Sequence, residues 1–397
     1  MPEPGEPKLD FNNTEIAFSY KSNRELRKTY LLFKFMNNPN LVKLGSVLGN
    51  IAAKIPLGLG VSFIKLTVFD QFCGGTSLFE CQKVIDKLTY RNTLTILDFG
   101  VEAKERDEDF ERTLNENIKA IEFAFSNPNV PVISTKITGY VPIGVLEKKQ
   151  AGQPLSEYEQ VQLRRLEERL ETLAKKAYDM GVSIFIDAEE SWIQKPIDDL
   201  ALKLMAEFNK EKPIIYNTYQ LYRTGQLDFL KECAEKAMSE GYLLGVKTVR
   251  GAYMEKERRR AQEMNYPDPI QKTKEDTDRD YDAAVRFCVE NYHRISLCNS
   301  SHNWASNALQ ARLMDEAQIP HDHPHLNFCQ LFGMSDNLTF NLAADGYNVA
   351  KYLPYGPIRE VVPYLTRRAQ ENTSVTGDMS RELSLLTREM KRRGLLK

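Results

Sequence analysis

Ser183-Ile-Phe-Ile-Asp187, Ile214-Ile-Tyr-Asn-Thr-Tyr219 and Gly245-Val-Lys-Thr-Val249 decide the fold. Each is a short apolar or β-branched run with a polar or charged residue at its end or just after it. Between them lie Pro196–Asn209 and Gln226–Glu240, where apolar residues recur at helical spacing. Strand, helix, strand, helix, strand is the pattern of parallel strands joined by helical crossovers. Working outward, the same alternation holds on both sides. Thr93–Asp98 and Val132–Ile137 precede it; Ile295–Asn299, Leu326–Gln330 and Val349–Leu353 follow it. The intervening helices are read at Glu108–Phe125, Glu157–Met180, Asp278–Tyr292, Asn303–Ala317 and Ser335–Ala344, with Ile358–Gln370 after the last strand.

Eight strands, each followed by a helix, predict an α/β protein of the (β/α)8 TIM-barrel type. A doubly wound sheet would favour a glycine-rich first turn, and Gly58-Leu-Gly60-Val-Ser-Phe63 lacks the third glycine and follows no strand. Residues 1–90 read as a helical N-terminal extension, with helices at Asn23–Met36 and Ser77–Tyr90, and residues 91–397 as the catalytic barrel. Leu146–Glu171, charged and rich in glutamine, reads as a solvated insertion after the second strand.

Composition narrows the function. The 53 Lys and Arg against 55 Asp and Glu give a net charge of −2, which argues against a nucleic-acid binder, since phosphate neutralisation needs a basic excess. The 19 Phe and 18 Tyr argue against disorder. None of the six cysteines forms a C-x-x-C pair, so reduced thiols are expected rather than a zinc or disulfide framework. Met1–Phe11 resembles neither a signal nor a transit peptide. Leu41–Val68 is the most apolar stretch, but Lys43, Lys54, Lys65 and Pro56 interrupt it, so no spanning helix is expected. It reads either as a helix packed on the body or as one lying on a membrane surface.

Catalytic groups of a barrel sit at the C-terminal ends of its strands. Those ends carry Lys136, Asp187, Gln220, Lys247 with Arg250, His302 and Tyr352. Buried charges need partners, so Lys136 and Asp187 are expected to pair across adjacent strands, either structurally or as part of a site. Thr366-Arg367-Arg368-Ala-Gln-Glu371-Asn372 is either a surface helix with routine salt bridges or a double guanidinium clamp for a carboxylate. In Lys247-Thr-Val-Arg250-Gly251-Ala252-Tyr253 a strand ends in a glycine between basic residues, as an ordinary turn or a close approach to an anionic or electron-accepting group would require. His321-Asp-His323-Pro-His325 has the look of a metal cluster, but it precedes a strand and so belongs at the wrong end of a barrel for catalysis.

Taken in order, these motifs resemble one family. Phe185-Ile-Asp187-Ala-Glu189-Glu190, Tyr219-Gln220-Leu-Tyr222, Lys247 to Tyr253, Ser301-His302-Asn303, Tyr352-Leu-Pro-Tyr-Gly356 and Tyr364 to Asn372 together resemble proline dehydrogenase, from about Lys136 to Asn372. The resemblance implies a barrel with non-covalent FAD whose last helix sits over the barrel mouth. It implies oxidation of L-proline to 1-pyrroline-5-carboxylate, with a hydride leaving C5 for flavin N5 and the electrons passing to a membrane quinone. It implies that Lys136, Asp187 and Lys247 serve catalysis. Arg367, Arg368, Glu371, Tyr352, Leu331 and Tyr253 would contact the substrate. Ala188, Gln220, Arg250, Gly251, Ala252, Ser301 and His302 would bind the flavin. Lys247 stands where many bacterial members carry arginine, which removes a bidentate contact and keeps the positive charge.

The chain ends before any aldehyde-dehydrogenase domain, so a monofunctional enzyme with a separate 1-pyrroline-5-carboxylate dehydrogenase as downstream partner is expected. Peripheral membrane association is expected too, on the bacterial cytoplasmic face or the mitochondrial inner membrane. Candidate surfaces are Leu41–Val68 and the basic tail Lys391-Arg392-Arg393-Gly-Leu-Leu-Lys397. The rival readings are a hydroxyproline dehydrogenase of the same family, against which Tyr352 argues, a metal-dependent barrel hydrolase using His321, His323 and His325, and a non-catalytic scaffold.

Overall fold

The computed structural model describes residues 9–37, 68–100, 104–361, 364–365 and 378–397. Its strands are β1 Leu94–Phe99, β2 Val132–Thr135, β3 Ser183–Ile186, β4 Ile215–Gln220, β5 Leu244–Val249, β6 Ile295–Ser300, β7 Leu326–Leu331 and β8 Val349–Tyr355. They form a closed barrel in sequence order, and parallel register holds at Ile133↔Ile184, Ile184↔Ile215, Asn217↔Val246 and Val246↔Leu297. The expected (β/α)8 barrel is therefore the observed fold. The strands are buried along nearly their whole length, as parallel strands covered on both faces must be.

By its internal contacts the chain forms two compact units. One comprises Ile96–Ser301 and Leu309–Asn327, with β2 to β6 and their crossover helices. Helix Glu157–Met180 shows why these segments fold where they do. Ser156 and Glu159 make a reciprocal capping box at its start, and Gly181, at φ 67°, ends it in the left-handed conformation. Its buried face includes Gln162, Leu166, Arg169 and Leu170. The stretch expected as a solvated insertion is thus corrected: Ile143–Gln150 and the first turns of Glu157–Met180 are packed helices, whose charged outer faces hid the apolar stripe. Helix Ser191–Phe208 begins five residues before Pro196, the position at which the sequence signal placed its start.

The other unit comprises Met1–Thr95, His302–Ala308 and Phe328–Lys397. Here the two ends of the chain share a core. Phe18 and Ala17 from helix Thr14–Phe18, Leu26 and Phe33 from helix Asn23–Met36, and Leu385, Leu386 and Met390 from the C-terminal helix Asp378–Arg392 form one buried cluster with Phe69 and Phe72. Arg393 reinforces it by donating to the carbonyls of Phe18 and Lys21 at 2.8 Å each.

Candidate active site

A buried charge lattice closes the strand ends of the first unit. Asp98 ends the apolar part of β1, Lys136 follows β2, Asp187 follows β3 and Lys247 lies within β5. Lys136 Nζ sits 3.4 Å from Asp98 Oδ1 and 3.3 Å from Asp187 Oδ2. Lys247 Nζ donates to Asp187 Oδ1 at 2.5 Å, and Ser134 Oγ donates to the same oxygen at 2.9 Å. The side chains of all four charged residues are at most 11% exposed. Two ammoniums and two carboxylates balance, which is the condition under which buried charges persist. The expected Lys136–Asp187 pair is present as part of a larger set. Asp98 was missed, although the rule that found Asp187, an aspartate ending an apolar strand, would have found it.

Glu189 is a second residue the strand-end reading missed. It is buried, and its carboxylate accepts from Thr138 N at 3.0 Å and Thr138 Oγ1 at 2.5 Å. Burial pushes its carboxyl up to about 7, and the neighbouring Glu190 adds to that while the Thr138 donors work against it. Gln220 Nε2 donates to the Glu189 carbonyl at 2.7 Å, tying the end of β4 to the segment after β3. Ala188 lies between Asp187 and Glu189 and is half-buried.

After β5, Arg250 holds Asp278 through Nε at 2.8 Å and Nη2 at 2.7 Å. Its Nη1 donates to Ser301 Oγ at 2.9 Å, and the guanidinium lies 4.3 Å from the centroid of the Tyr281 ring. Partial burial raises the Asp278 carboxyl, but Lys274 and Arg250 outweigh it and hold the group below the ordinary carboxylate range. Gly251 has φ 140°, and a Cβ there would lie 2.3 Å from the Tyr222 ring. The close approach that this glycine permits is therefore that of Tyr222. Gly251 is exposed, Ala252 and Tyr253 are partly exposed, and Tyr253 leads into helix Met254–Met264.

In the other unit, Tyr352 lies in β8, 5% exposed, and its carbonyl accepts from Phe332 N at 2.9 Å. Leu331 ends β7 and is half-buried. His302 Nδ1 is 2.8 Å from Ser335 Oγ. Arg367, Arg368 and Glu371 lie outside the described residues, as do residues 41–67.

His321 Nε2 is 2.7 Å from Asp315, and His325 Nδ1 is 2.8 Å from the Tyr292 carbonyl. Among the described residues no three His, Cys, Asp or Glu side chains are grouped to hold a metal ion. The basic tail has intramolecular partners: Arg392 and Arg393 both pair with the buried Glu389, and Arg392 also reaches Glu15 at 3.3 Å. No helix among the described residues is long and apolar enough to cross a membrane.

The fold is thus a parallel eight-stranded α/β barrel with a charge-balanced lysine–aspartate lattice at its strand ends, the end at which barrel enzymes carry their catalytic groups. The chain belongs to the proline dehydrogenase family, whose model matches residues 81–381. "Proline dehydrogenase 1, mitochondrial" of Dictyostelium discoideum is 32% identical over 97% of this chain and 75% of its own length. The human protein of the same name is 41% identical over 63% of this chain and 43% of its own. The hydroxyproline dehydrogenase of Xenopus laevis is 31% identical over 97% of this chain and 90% of its own. Among solved structures, proline utilization A from Bdellovibrio bacteriovorus, inactivated by N-propargylglycine, superposes with a TM-score of 0.77 at 19% identity, covering 92% of this chain and 42% of that one. The chain thus spans less than half of the human relative and of that structure.

Proposed function

We propose that this chain oxidises L-proline to 1-pyrroline-5-carboxylate with non-covalently bound FAD. The observation that carries the reading is the buried Asp98–Lys136–Asp187–Lys247 lattice at the strand ends, in a chain of this family.

The donor set fits FAD. Arg250 and Lys247 bring positive charge, Gln220 and Ser301 bring polar groups, and Gly251, Ala252 and Ala188 add little side-chain bulk beside them. When bound, FAD supplies the two-electron acceptor that takes a hydride from C5 of the substrate. His302 joins the residues that hold it, with Ser335 fixing one ring nitrogen. Lys247 and Arg250 favour negative charge near them. Arg367 and Arg368, with Glu371 beside them, grip the substrate carboxylate through planar, bidentate-capable forks and so orient C5. Tyr352, Leu331 and Tyr253 bound the substrate ring. Asp187 holds Lys136 and Lys247 in place, and the substrate ring nitrogen releases its proton to solvent, so that its lone pair can form the C=N bond as the C5–H bond breaks.

Electrons pass on to a membrane quinone, by peripheral contact at the bacterial or mitochondrial inner membrane, and the product goes to a separate 1-pyrroline-5-carboxylate dehydrogenase. Residues 91–397 carry the chemistry, with residues 1–90 as an N-terminal extension. The relation to a hydroxyproline dehydrogenase over nearly the whole chain supports 4-hydroxyproline as the second reading. Steady-state reduction of an artificial electron acceptor by each amino acid tests both. A higher kcat/KM for L-proline supports the first reading, and a higher value for 4-hydroxyproline replaces it with the second.

A further inference from the structure

Lys351 stands next to Tyr352 in β8 and has no exposed surface, an expensive place for an ammonium without a task. Its Nζ donates to the carbonyl of Met334 and lies 3.5 Å from that of Leu331. It also pairs with Asp336 Oδ1 at 3.0 Å. All three acceptors belong to one short segment, 331–336, which joins β7 to helix Asp336–Ala344. That segment begins with Leu331 and carries Ser335, the partner of His302.

The segment is not in a relaxed conformation. Ser335 has φ 49°, in the left-handed region that non-glycine residues avoid, and Gly333 has φ 80°. A Cβ on Gly333 would lie 2.0 Å from the Gln71 carbonyl oxygen. Strained backbone persists only where its surroundings over-determine it. Here they do: Gln71 Nε2 donates to the Gly333 carbonyl at 2.8 Å, and Phe332 N donates to the Tyr352 carbonyl at 2.9 Å. Asp336 is in turn held by residues far upstream. Tyr20 Oη donates to its Oδ2 at 2.6 Å, and Lys21 Nζ lies 3.7 Å from the same atom. Burial raises the Asp336 carboxyl, but Lys351 and Lys21 outweigh it and keep it below its ordinary value. Glu382 of the C-terminal helix also faces this group, and its carboxyl is raised to about 7 by burial and by Asp336.

We propose that Lys351 is a positioning residue, which fixes segment 331–336 so that Leu331 and His302 keep their places, and that Tyr20 and Lys21 complete the device from outside the family-matched region. The N-terminal residues thereby tune how tightly the site fits the substrate ring. This rests on the proposed function only where Leu331 is taken to touch substrate; the pinning of the segment stands on the contacts themselves.

The test uses the full-length flavin-loaded protein with Lys351→Met, which keeps the length and removes the charge, and Tyr20→Phe, which removes one hydrogen bond. Two readouts are taken: hydrogen–deuterium exchange of each segment, and KM and kcat per bound flavin. For Lys351→Met the amides of Phe332 to Asp336 are expected to exchange at least tenfold faster, with β2 to β5 unchanged. KM for L-proline is expected to rise about tenfold while kcat changes less than threefold. Tyr20→Phe moves both readouts the same way by about two- to threefold, and it stands in if Lys351→Met does not fold. Unchanged exchange in the segment overturns the proposal, and so does faster exchange with wild-type KM. A wild-type protein that turns over no L-proline refutes the proposed function instead, and the exchange data then judge the segment alone.

Discussion

Replacing Asp187 by asparagine isolates the claim that the strand-end charges form one coupled, buried lattice. Asparagine keeps an acceptor for Ser134 and removes the charge that balances two ammoniums. Those ammoniums lie 3.3 and 2.5 Å from the carboxylate, so at an effective dielectric near 20 each direct attraction is about 5–7 kcal/mol. Desolvation offsets several kcal/mol for each buried ion, and the net cost of breaking such a pair from one side is about 3–5 kcal/mol. Asp187→Asn should therefore lose roughly 3–5 kcal/mol of stability. Lys247→Met should lose less, because Asp187 keeps Lys136. In the double variant the uncompensated ammonium is gone, so the two costs should not add, and the coupling should be about 2–3 kcal/mol. Urea unfolding of the four proteins, followed by circular dichroism with the slopes compared, measures it. A coupling below about 0.5 kcal/mol would show that Asp187 and Lys247 act independently and would remove the lattice as a unit.

Other outcomes follow from single residues. Glu189, raised to about 7, binds a proton in the folded state that the unfolded chain releases near its ordinary value of 4.5, so its contribution to stability falls as pH climbs from about 4.5 to 7. Glu189→Gln should remove that slope, gaining about 2–3 kcal/mol on the native protein between pH 5 and pH 8; parallel pH profiles of the two proteins would contradict it. Gly251→Ala should cost about 1–3 kcal/mol by combining strain at φ 140° with a clash against Tyr222, and the same substitution should cost less in a Tyr222→Ala background, each variant compared by thermal melts with its own parent. Arg367→Ala and Arg368→Ala should each raise KM for L-proline by roughly 1.5–3 kcal/mol equivalent, and wild-type kinetics in both would place the pair away from the substrate.

The alternation of strands and helices was legible because burial on both faces leaves continuous apolar runs, and all eight strands fall within one residue of their expected limits except at the C-terminal ends of β2 and β8, which differ by two. What failed was local. Pro196 imitated a helix start because proline suits first turns, yet the helix tolerates it in its sixth position. Helix Met254–Met264 went unread, since its run of Glu and Arg leaves little apolar stripe beyond Ala261. At the site, residues at strand ends could be named from their position alone, whereas Asp98's partnership with Lys136, Arg250's with Asp278 and Lys351's with Asp336 join distant parts of the chain. No periodicity encodes such pairs. The basic tail shows the same limit, because a cationic run reads as a free surface until Glu389 is seen beneath it.

The most direct test of the account is the absorbance spectrum of the purified protein under anaerobic conditions, before and after L-proline. Flavin bands that bleach on adding L-proline are expected, with one reduced flavin per chain, and much slower bleaching with 4-hydroxyproline. A protein that purifies with no flavin and takes up none when FAD is supplied, or a bound flavin that L-proline leaves oxidised, would contradict it.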